Sequence, residues 1–166
     1  MDQARNLSRR NFLQGRTVPA LGIRPPGMSN HGLDTCTGCA ACVEACPPGI
    51  ISLLHAFPAL DFTVGECTFC GECANACPEP VFSADTPRRF AHAVAISASC
   101  FAKSGIACQS CLDACPEQAI HFRPRIGGPF LPELNEDACS GCGACIGVCP
   151  ASAIGVSERA RDDIHA

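Results

Sequence analysis

The feature that most constrains this chain is a cysteine motif, C-x2-C-x2-C-x3-C-P, which occurs three times in regular form and once in a stretched form. In the stretched copy, the third in order, seven residues separate the first two cysteines. All 16 cysteines of the 166-residue chain belong to these four motifs. They are Cys36, Cys39, Cys42 and Cys46; Cys67, Cys70, Cys73 and Cys77; Cys100, Cys108, Cys111 and Cys115; and Cys139, Cys142, Cys145 and Cys149.

So many cysteines form either a disulfide framework or a set of metal-bound thiolates, and the cellular compartment decides between them. The first thirty residues are polar and are interrupted by Pro19, Pro25 and Pro26, so they lack the apolar stretch of a secretory signal. No stretch approaches the length of a membrane span. We therefore expect a soluble cytoplasmic protein without a transmembrane segment, whose thiols bind metal.

The motif spacing favours [4Fe–4S] clusters. Three cysteines spaced by two residues wrap one face of a cubic cluster, and in bacterial two-cluster ferredoxins the fourth cysteine of the motif binds the other cluster. The sequence thus predicts four [4Fe–4S] clusters. Their predicted ligand sets are Cys36, Cys39, Cys42 and Cys77; Cys67, Cys70, Cys73 and Cys46; Cys100, Cys108, Cys111 and Cys149; and Cys139, Cys142, Cys145 and Cys115. The chain has no Trp or Tyr, so we expect the clusters to replace much of a conventional core.

Three alternatives stay open at this point. Structural zinc also uses C-x2-C pairs, but these are usually separated by a longer finger. Disulfides require export, for which the sequence gives no signal. In the stretched motif, Cys100 could be a core cysteine, which would leave that site with three ligands.

The residues around each motif predict a repeated unit of loop, short helix and strand. The third and fourth cysteines lie four residues apart, which suits a short helix that the following proline ends. Short β-compatible runs follow at Ile50–Leu53, Val81–Phe82, Ile120–Phe122 and Ile154–Val156, and Gly127–Pro129 predicts a turn. We predict an α+β fold of two tandem bacterial-ferredoxin-like units with short helices and β-hairpins. The predicted divisions are a basic arm at 1–30, two-cluster units at 31–84 and 85–156, and a charged tail at 157–166.

Nothing outside the cysteines predicts catalysis. The chain has no glycine-rich phosphate loop, no flavin or nicotinamide fingerprint and no nucleophile beside a base, and nothing in it indicates nucleic-acid binding. Phe69, inside the second motif, is interpreted as a shield between a cluster and water. The histidines are interpreted as exposed or packed side chains; they are His31, His55, His92, His121 and His165. A cluster with four thiolate ligands has no open coordination position. The sequence therefore predicts an electron carrier without a catalytic site of its own.

The order of motifs, together with the N-terminal segment, resembles a known family. Ser8-Arg9-Arg10, Gly15-Arg16 and Ile23-Arg24-Pro25-Pro26 precede four motifs of which the third is stretched. This pattern resembles the NapF family, the ferredoxin-type accessory proteins of periplasmic nitrate reductases, and the resemblance extends over nearly the whole chain. Gly27 departs from the family pattern, because the family often has an aromatic residue at this position. The resemblance implies a cytoplasmic protein that contacts, before export, the precursor of the molybdenum-containing catalytic subunit. It would assist maturation through electron transfer or cluster assembly.

The basic arm is the least determined part of the chain. Residues 1–30 contain five arginines and one aspartate, whereas the remainder is acidic. Segment Ser8–Leu13 reads like a twin-arginine export signal without its apolar region, so we favour an arm that docks onto a partner over a solvated tail. Two other functions stay open. One is a general electron-transfer polyferredoxin, or the iron–sulfur subunit of a larger oxidoreductase, that exchanges electrons with other redox proteins. The other is a non-redox, metal-stabilised binding module.

Overall fold

A computed structural model describes residues 22–83, 85 and 87–159 of the chain. Most of the predicted basic arm, with its twin-arginine-like segment, and most of the predicted charged tail lie outside the described residues. The last part of that arm is described, and it contacts the rest of the protein: the Leu60 N–H donates a 2.7 Å hydrogen bond to the Ile23 carbonyl. The predicted division at residue 30 is untested and stays a prediction.

The described helices are short, and four of them belong to the cysteine motifs. They are α1 (Asn30–Thr35), α2 (Ala41–Glu44), α3 (Glu72–Asn75), α4 (Ser110–Asp113) and α5 (Ala144–Gly147). Helix α1 is capped by Ser29, whose side chain accepts a 3.1 Å hydrogen bond from the Gly32 N–H. Each of the other four carries the third cysteine of a motif, and all four of these cysteines are buried. The helices therefore fix one buried thiol per motif.

The strands form three two-stranded antiparallel sheets among the described residues. They are β1 (Ile51–Leu54), β2 (Phe57–Leu60), β3 (His92–Ile96), β4 (Ile120–Arg123), β5 (Leu131–Leu134) and β6 (Ile154–Glu158). Strands β1 and β2 form one hairpin, β4 and β5 form another, and β3 pairs with β6. The predicted strands at β1, β4 and β6 are confirmed. The run Val81–Phe82 is not a strand, and Phe82 forms only an isolated bridge with Met28.

Residues 22–83, called here the first half, and residues 87–159, the second half, follow one plan. Each half has one hairpin between its two motifs, and its two ends meet in antiparallel contact. In the first half that contact is the bridge between Met28 and Phe82, and in the second half it is the β3–β6 pair. The glycines at Gly127–Pro129 lie in the β4–β5 hairpin connection, where the sequence predicts a turn.

The core combines thiols and alanines with a small number of larger apolar side chains. The largest side chains that are fully buried are Ile50 and Ile120, one in each half. Five cysteines are also buried among the core residues: Cys42, Cys73, Cys111, Cys139 and Cys145. Ile146 packs against the core clusters of both halves and so connects them. None of the helices in the described part of the chain is long and apolar enough to cross a membrane.

Candidate metal centres

Four cavities in the described chain are each lined by four cysteines. The first contains Cys36, Cys39, Cys42 and Cys77; the second Cys46, Cys67, Cys70 and Cys73; the third Cys100, Cys108, Cys111 and Cys149; and the fourth Cys115, Cys139, Cys142 and Cys145. These are the sets of four that the spacing predicts. Every cysteine of the chain lies in one of the four cavities, and none is left over.

The fourth cysteine of each motif lies in the cavity of the partner motif. Cys46 leaves α2 and reaches the cavity of the second motif, while Cys77 leaves α3 and reaches that of the first. Cys115 and Cys149 cross in the same way in the second half. Helices α2 and α3 pack together, as do α4 and α5, which brings the crossing residues within reach of each other's cavity.

The stretched motif still delivers its first cysteine to the third cavity. The seven residues between Cys100 and Cys108 fold into turns in which the Ser104 N–H donates to the Cys100 carbonyl at 2.9 Å, and the Ile106 N–H to the Phe101 carbonyl at 2.8 Å. Ala102 is fully buried, and its carbonyl accepts a hydrogen bond from Arg125 of the β4–β5 hairpin. The insertion is thus anchored to the same half, and Cys100 lines the same cavity as Cys108.

The buried thiols have raised pKa values. Burial, with smaller contributions from neighbouring thiolates, raises the pKa of Cys73 and of Cys111 to about 11 and that of Cys145 to about 12. The pKa of Cys42 is raised by burial first, and the thiolates of Cys36, Cys77 and Cys39 add to the effect. Four thiolates in one cavity repel each other, so iron bound there would supply the positive charge that keeps them deprotonated.

Backbone N–H groups point towards several of the sulfurs. The Ala119 N–H donates to Cys115 Sγ at 3.3 Å, and the Ala153 N–H donates to Cys149 Sγ at 3.3 Å. Donors of this kind stabilise thiolate and cluster charge and adjust the reduction potential. Four thiols, converging N–H donors and a lining that is otherwise mostly apolar, such as Ile50, Leu60 and Phe69 in the second cavity, fit an iron–sulfur cluster.

Within the described residues, no group of three or more His, Cys, Asp or Glu side chains is close enough to hold a single metal ion. The cysteines of each set therefore surround a cavity and do not converge on one ion-sized point.

Aromatic and polar residues cover the second and fourth cavities. Phe69 lines the second cavity, where the sequence predicts a shield, and its ring lies 5.2 Å from that of Phe90. His92, interpreted only as an exposed or packed side chain, stacks on Phe90 at 4.7 Å and hydrogen-bonds the Gly141 carbonyl at 2.9 Å. Ser140 is buried, and its hydroxyl makes no hydrogen bond of normal geometry with the described residues. Sequence reasoning did not single out Phe90 or Ser140, and for Ser140 only its position inside a motif could have drawn attention to it. His92 is a packed side chain, which is one of the two interpretations given for the histidines.

Comparison with known proteins identifies the class to which this arrangement belongs. Residues 35–81 and 106–153 each match the 4Fe-4S dicluster domain. The chain is 43% identical to the ferredoxin-type protein NapF of Escherichia coli K12 over 151 residues, covering 89% of this chain and 92% of that protein. It is 40% identical to NapF of Haemophilus influenzae over 172 residues, covering 95% and 98%. A protein of the ion-translocating oxidoreductase complex of Methanosarcina acetivorans is 34% identical over 125 residues, covering 72% of this chain and 46% of that protein.

The protein is thus a 4Fe–4S ferredoxin-type protein with two dicluster domains. The chain belongs to the NapF family of these proteins, as the order of its motifs predicted.

His92 makes the stability of the protein depend on pH. Burial lowers the pKa of His92 from 6.5, and the hydrogen bond to the Gly141 carbonyl opposes this only in part. The unfolded chain therefore binds more protons than the folded one, so stability is complete above about pH 6.5 and falls as the pH decreases through that value. We expect the midpoint of anaerobic denaturant unfolding to decrease between pH 7.5 and 5.5, and to do so less in His92→Gln. The exposed His121→Gln variant is the control, and equal slopes in all three proteins would contradict the expectation.

Proposed function

We propose that each of the four cavities holds a [4Fe–4S] cluster, and that the two halves are tandem bacterial-ferredoxin-like units of α+β type. The ligands would be the four cysteines that line each cavity, with Cys46, Cys77, Cys115 and Cys149 as the crossing ligands. The observation that supports this most directly is that sixteen cysteines divide into four sets of four with none left over. Two dicluster domains account for the same number of clusters.

A fully thiolate-bound cluster supplies one-electron transfer. The protein lines the proposed sites largely with small and apolar residues, which limits the access of water. Backbone N–H groups donate to the sulfurs of Cys115 and Cys149, and such donors stabilise the negative charge of the ligands. No ligand position is left open in the proposed sites, because all four cysteines in each set are used. This supports a role in electron transfer without substrate chemistry.

We further propose that the protein acts in the cytoplasm on the precursor of the catalytic subunit of a periplasmic nitrate reductase. Its action would precede export of that subunit and would assist maturation through electron transfer or assembly of the subunit's own cluster. The family membership supports this role, since the relatives in Escherichia coli and Haemophilus influenzae are NapF proteins. The charge distribution supports a docking arm, because residues 1–30 are basic and residues 31–84 contain no Lys or Arg.

Co-purification tests the proposed partner. Tagged full-length protein, isolated without oxygen, is expected to retain the precursor of the nitrate reductase catalytic subunit when both are produced together. Deletion of residues 2–21 is expected to reduce the recovered precursor several-fold while the iron content stays unchanged. Residues 22–30 are kept, because Ile23 and Met28 contact the first half.

Two outcomes would contradict parts of this proposal. Equal recovery of the precursor with and without residues 2–21 would exclude the docking arm. Failure of the full-length protein to retain the precursor, with its full iron content, would exclude the maturation role and leave electron transfer.

A second candidate function is that of an electron-transfer polyferredoxin or an iron–sulfur subunit of a larger oxidoreductase. The 34% identity to the protein of the Methanosarcina acetivorans oxidoreductase complex favours it. Rapid electron exchange with an unrelated reductase, without retention of the nitrate reductase precursor, would support this second function over the first. Colourless protein that contains zinc would instead support a metal-stabilised binding module and contradict both.

A further inference from the structure

The two halves of the protein meet at the second and fourth cavities. The Cys67 N–H donates a 2.9 Å hydrogen bond to the Cys142 carbonyl, so a cysteine of the second cavity is bonded through the backbone to a cysteine of the fourth. Within the second half, beside this contact, the Phe90 N–H donates a 2.9 Å hydrogen bond to the Ser140 carbonyl. We call the contact between the Cys67 and Cys142 loops the junction. It joins the cysteine loops of two cavities that lie in different halves of the chain.

Aromatic packing fixes the spacing at the junction. Phe62, at 4% exposure, follows β2 and packs edge-on against Phe90 with ring centroids 5.9 Å apart. The loop between Cys142 and Cys145 lies directly against Phe62, because a Cβ added at Gly143 would be 2.3 Å from the Phe62 ring. Only a residue without a side chain can occupy position 143 at this distance.

The fourth motif, which contributes to the junction, is the most covered of the four. Ser140, between its first two cysteines, is buried, whereas the corresponding Thr37 and Thr68 of the first two motifs are exposed. Gly141 and Gly143 are buried as well. Phe62 of the first half covers Gly143, whereas Gly141 lies against His92 and the Ser140 carbonyl accepts a hydrogen bond from Phe90, both of the second half.

The contact places the four sites in the spatial order first, second, fourth and third. We propose that electrons follow this order and pass between the two halves at the junction. The inference rests on the proposed function, because it requires bound clusters. In the step across the junction, one electron moves between the second and fourth sites, from the one that is reduced to the one that is oxidised. No bond is formed or broken, and no proton is transferred. The electron enters the protein from an external one-electron donor, such as a reduced iron–sulfur protein, for which dithionite substitutes in vitro. Phe62 and Gly143 are positioning residues in this step.

The test compares two glycines that occupy the same motif position. Gly143 and Gly71 both lie between the second and third cysteines of their motifs, with φ of 85° and 81°. Alanine already occupies this position in the first motif, where Ala40 has φ 66°. A Cβ at Gly71 would meet no atom within 4 Å, whereas one at Gly143 meets Phe62. Gly143→Ala and Gly71→Ala therefore add the same backbone strain, and only the first opens the junction.

The readout is the EPR spectrum of the anaerobically purified, dithionite-reduced full-length proteins at equal iron content. Magnetic interaction between two reduced clusters falls with the cube of their separation. We expect the wild-type protein and Gly71→Ala to share one interaction spectrum, and Gly143→Ala to show a smaller splitting across the junction. The interaction within each half is expected to persist, since the crossing cysteines hold each pair of sites.

A third variant keeps the test decisive if Gly143→Ala does not retain its iron. Gly147→Ala, in α5, places a Cβ 3.0 Å from the Thr63 carbonyl oxygen and has no left-handed backbone, so it opens the junction slightly. It is expected to change the same splitting by a smaller amount. Identical spectra in all proteins with full iron would overturn the junction and leave the proposed function intact. Absence of iron from the wild-type protein would overturn the proposed function itself.

Discussion

Removal of iron from the folded protein should abolish most of its secondary and tertiary structure. The helices that carry the cysteines are four residues long, which is far too short for a helix that is stable alone. The sheets of the described chain have two strands each, and such sheets are marginal in water. Few large apolar side chains are buried, among them Ile50, Ile120 and Phe62, so limited apolar packing would survive without the clusters.

The measurement is anaerobic circular dichroism before and after treatment with an iron chelator, followed by thermal unfolding. We expect loss of the cooperative transition in the treated sample and its return after reconstitution with iron and sulfide. The same chelator saturated with iron is the control, and it should leave the spectrum unchanged. A cooperative transition in the iron-free protein would show that the packing of side chains alone is sufficient.

Pairs of cysteine substitutions should remove different amounts of iron according to cavity and not according to motif. Cys36→Ala with Cys77→Ala affects two motifs but one cavity, so about 12 of an expected 16 iron atoms should remain per chain. Cys67→Ala with Cys77→Ala affects one motif but two cavities, so only about 8 should remain. Alanine is used because a serine oxygen could replace the sulfur as a ligand.

The second half supplies a matched repeat of this experiment. Cys115→Ala with Cys139→Ala affects the fourth cavity alone, whereas Cys111→Ala with Cys115→Ala affects the third and fourth. Iron and acid-labile sulfide are counted after anaerobic purification of each double variant. Greater iron loss from the pairs that share a cavity than from those that share a motif would rule out the crossed assignment.

The cysteine spacing could predict which thiols lie together because the motif is local and its geometry is imposed by the size of a cubic cluster. Ligation itself stays a prediction. The short strands β1, β4 and β6 were predictable, since a β-compatible run follows the proline of each motif. Strands β2 and β5 were not predicted, because Pro58 and Pro132 interrupt their sequences and proline cannot donate a ladder hydrogen bond.

The arrangement of the halves could not be predicted from sequence patterns. Strand β3 is an alanine-containing run, and its partner β6 lies near the other end of the second half. Because the two strands are far apart in the sequence, no short turn between them predicts the pairing. Phe62, Phe90 and His92 lie outside the motifs, and the contacts of Phe62 with the other two depend on how the two halves fit together. Packing between distant segments produces no periodic pattern of apolar residues in the sequence from which it could be predicted.

The crossing of the fourth cysteines also determines when each set of four cysteines can be completed during synthesis. The first cavity is incomplete until Cys77 has left the ribosome, and the third is incomplete until Cys149 has done so. The β3–β6 pair closes later still, because His92 pairs with Glu158. The first half can therefore receive its metal while translation continues, whereas the second half must wait for Cys149 and Glu158, with its thiols exposed to oxidation in the interval.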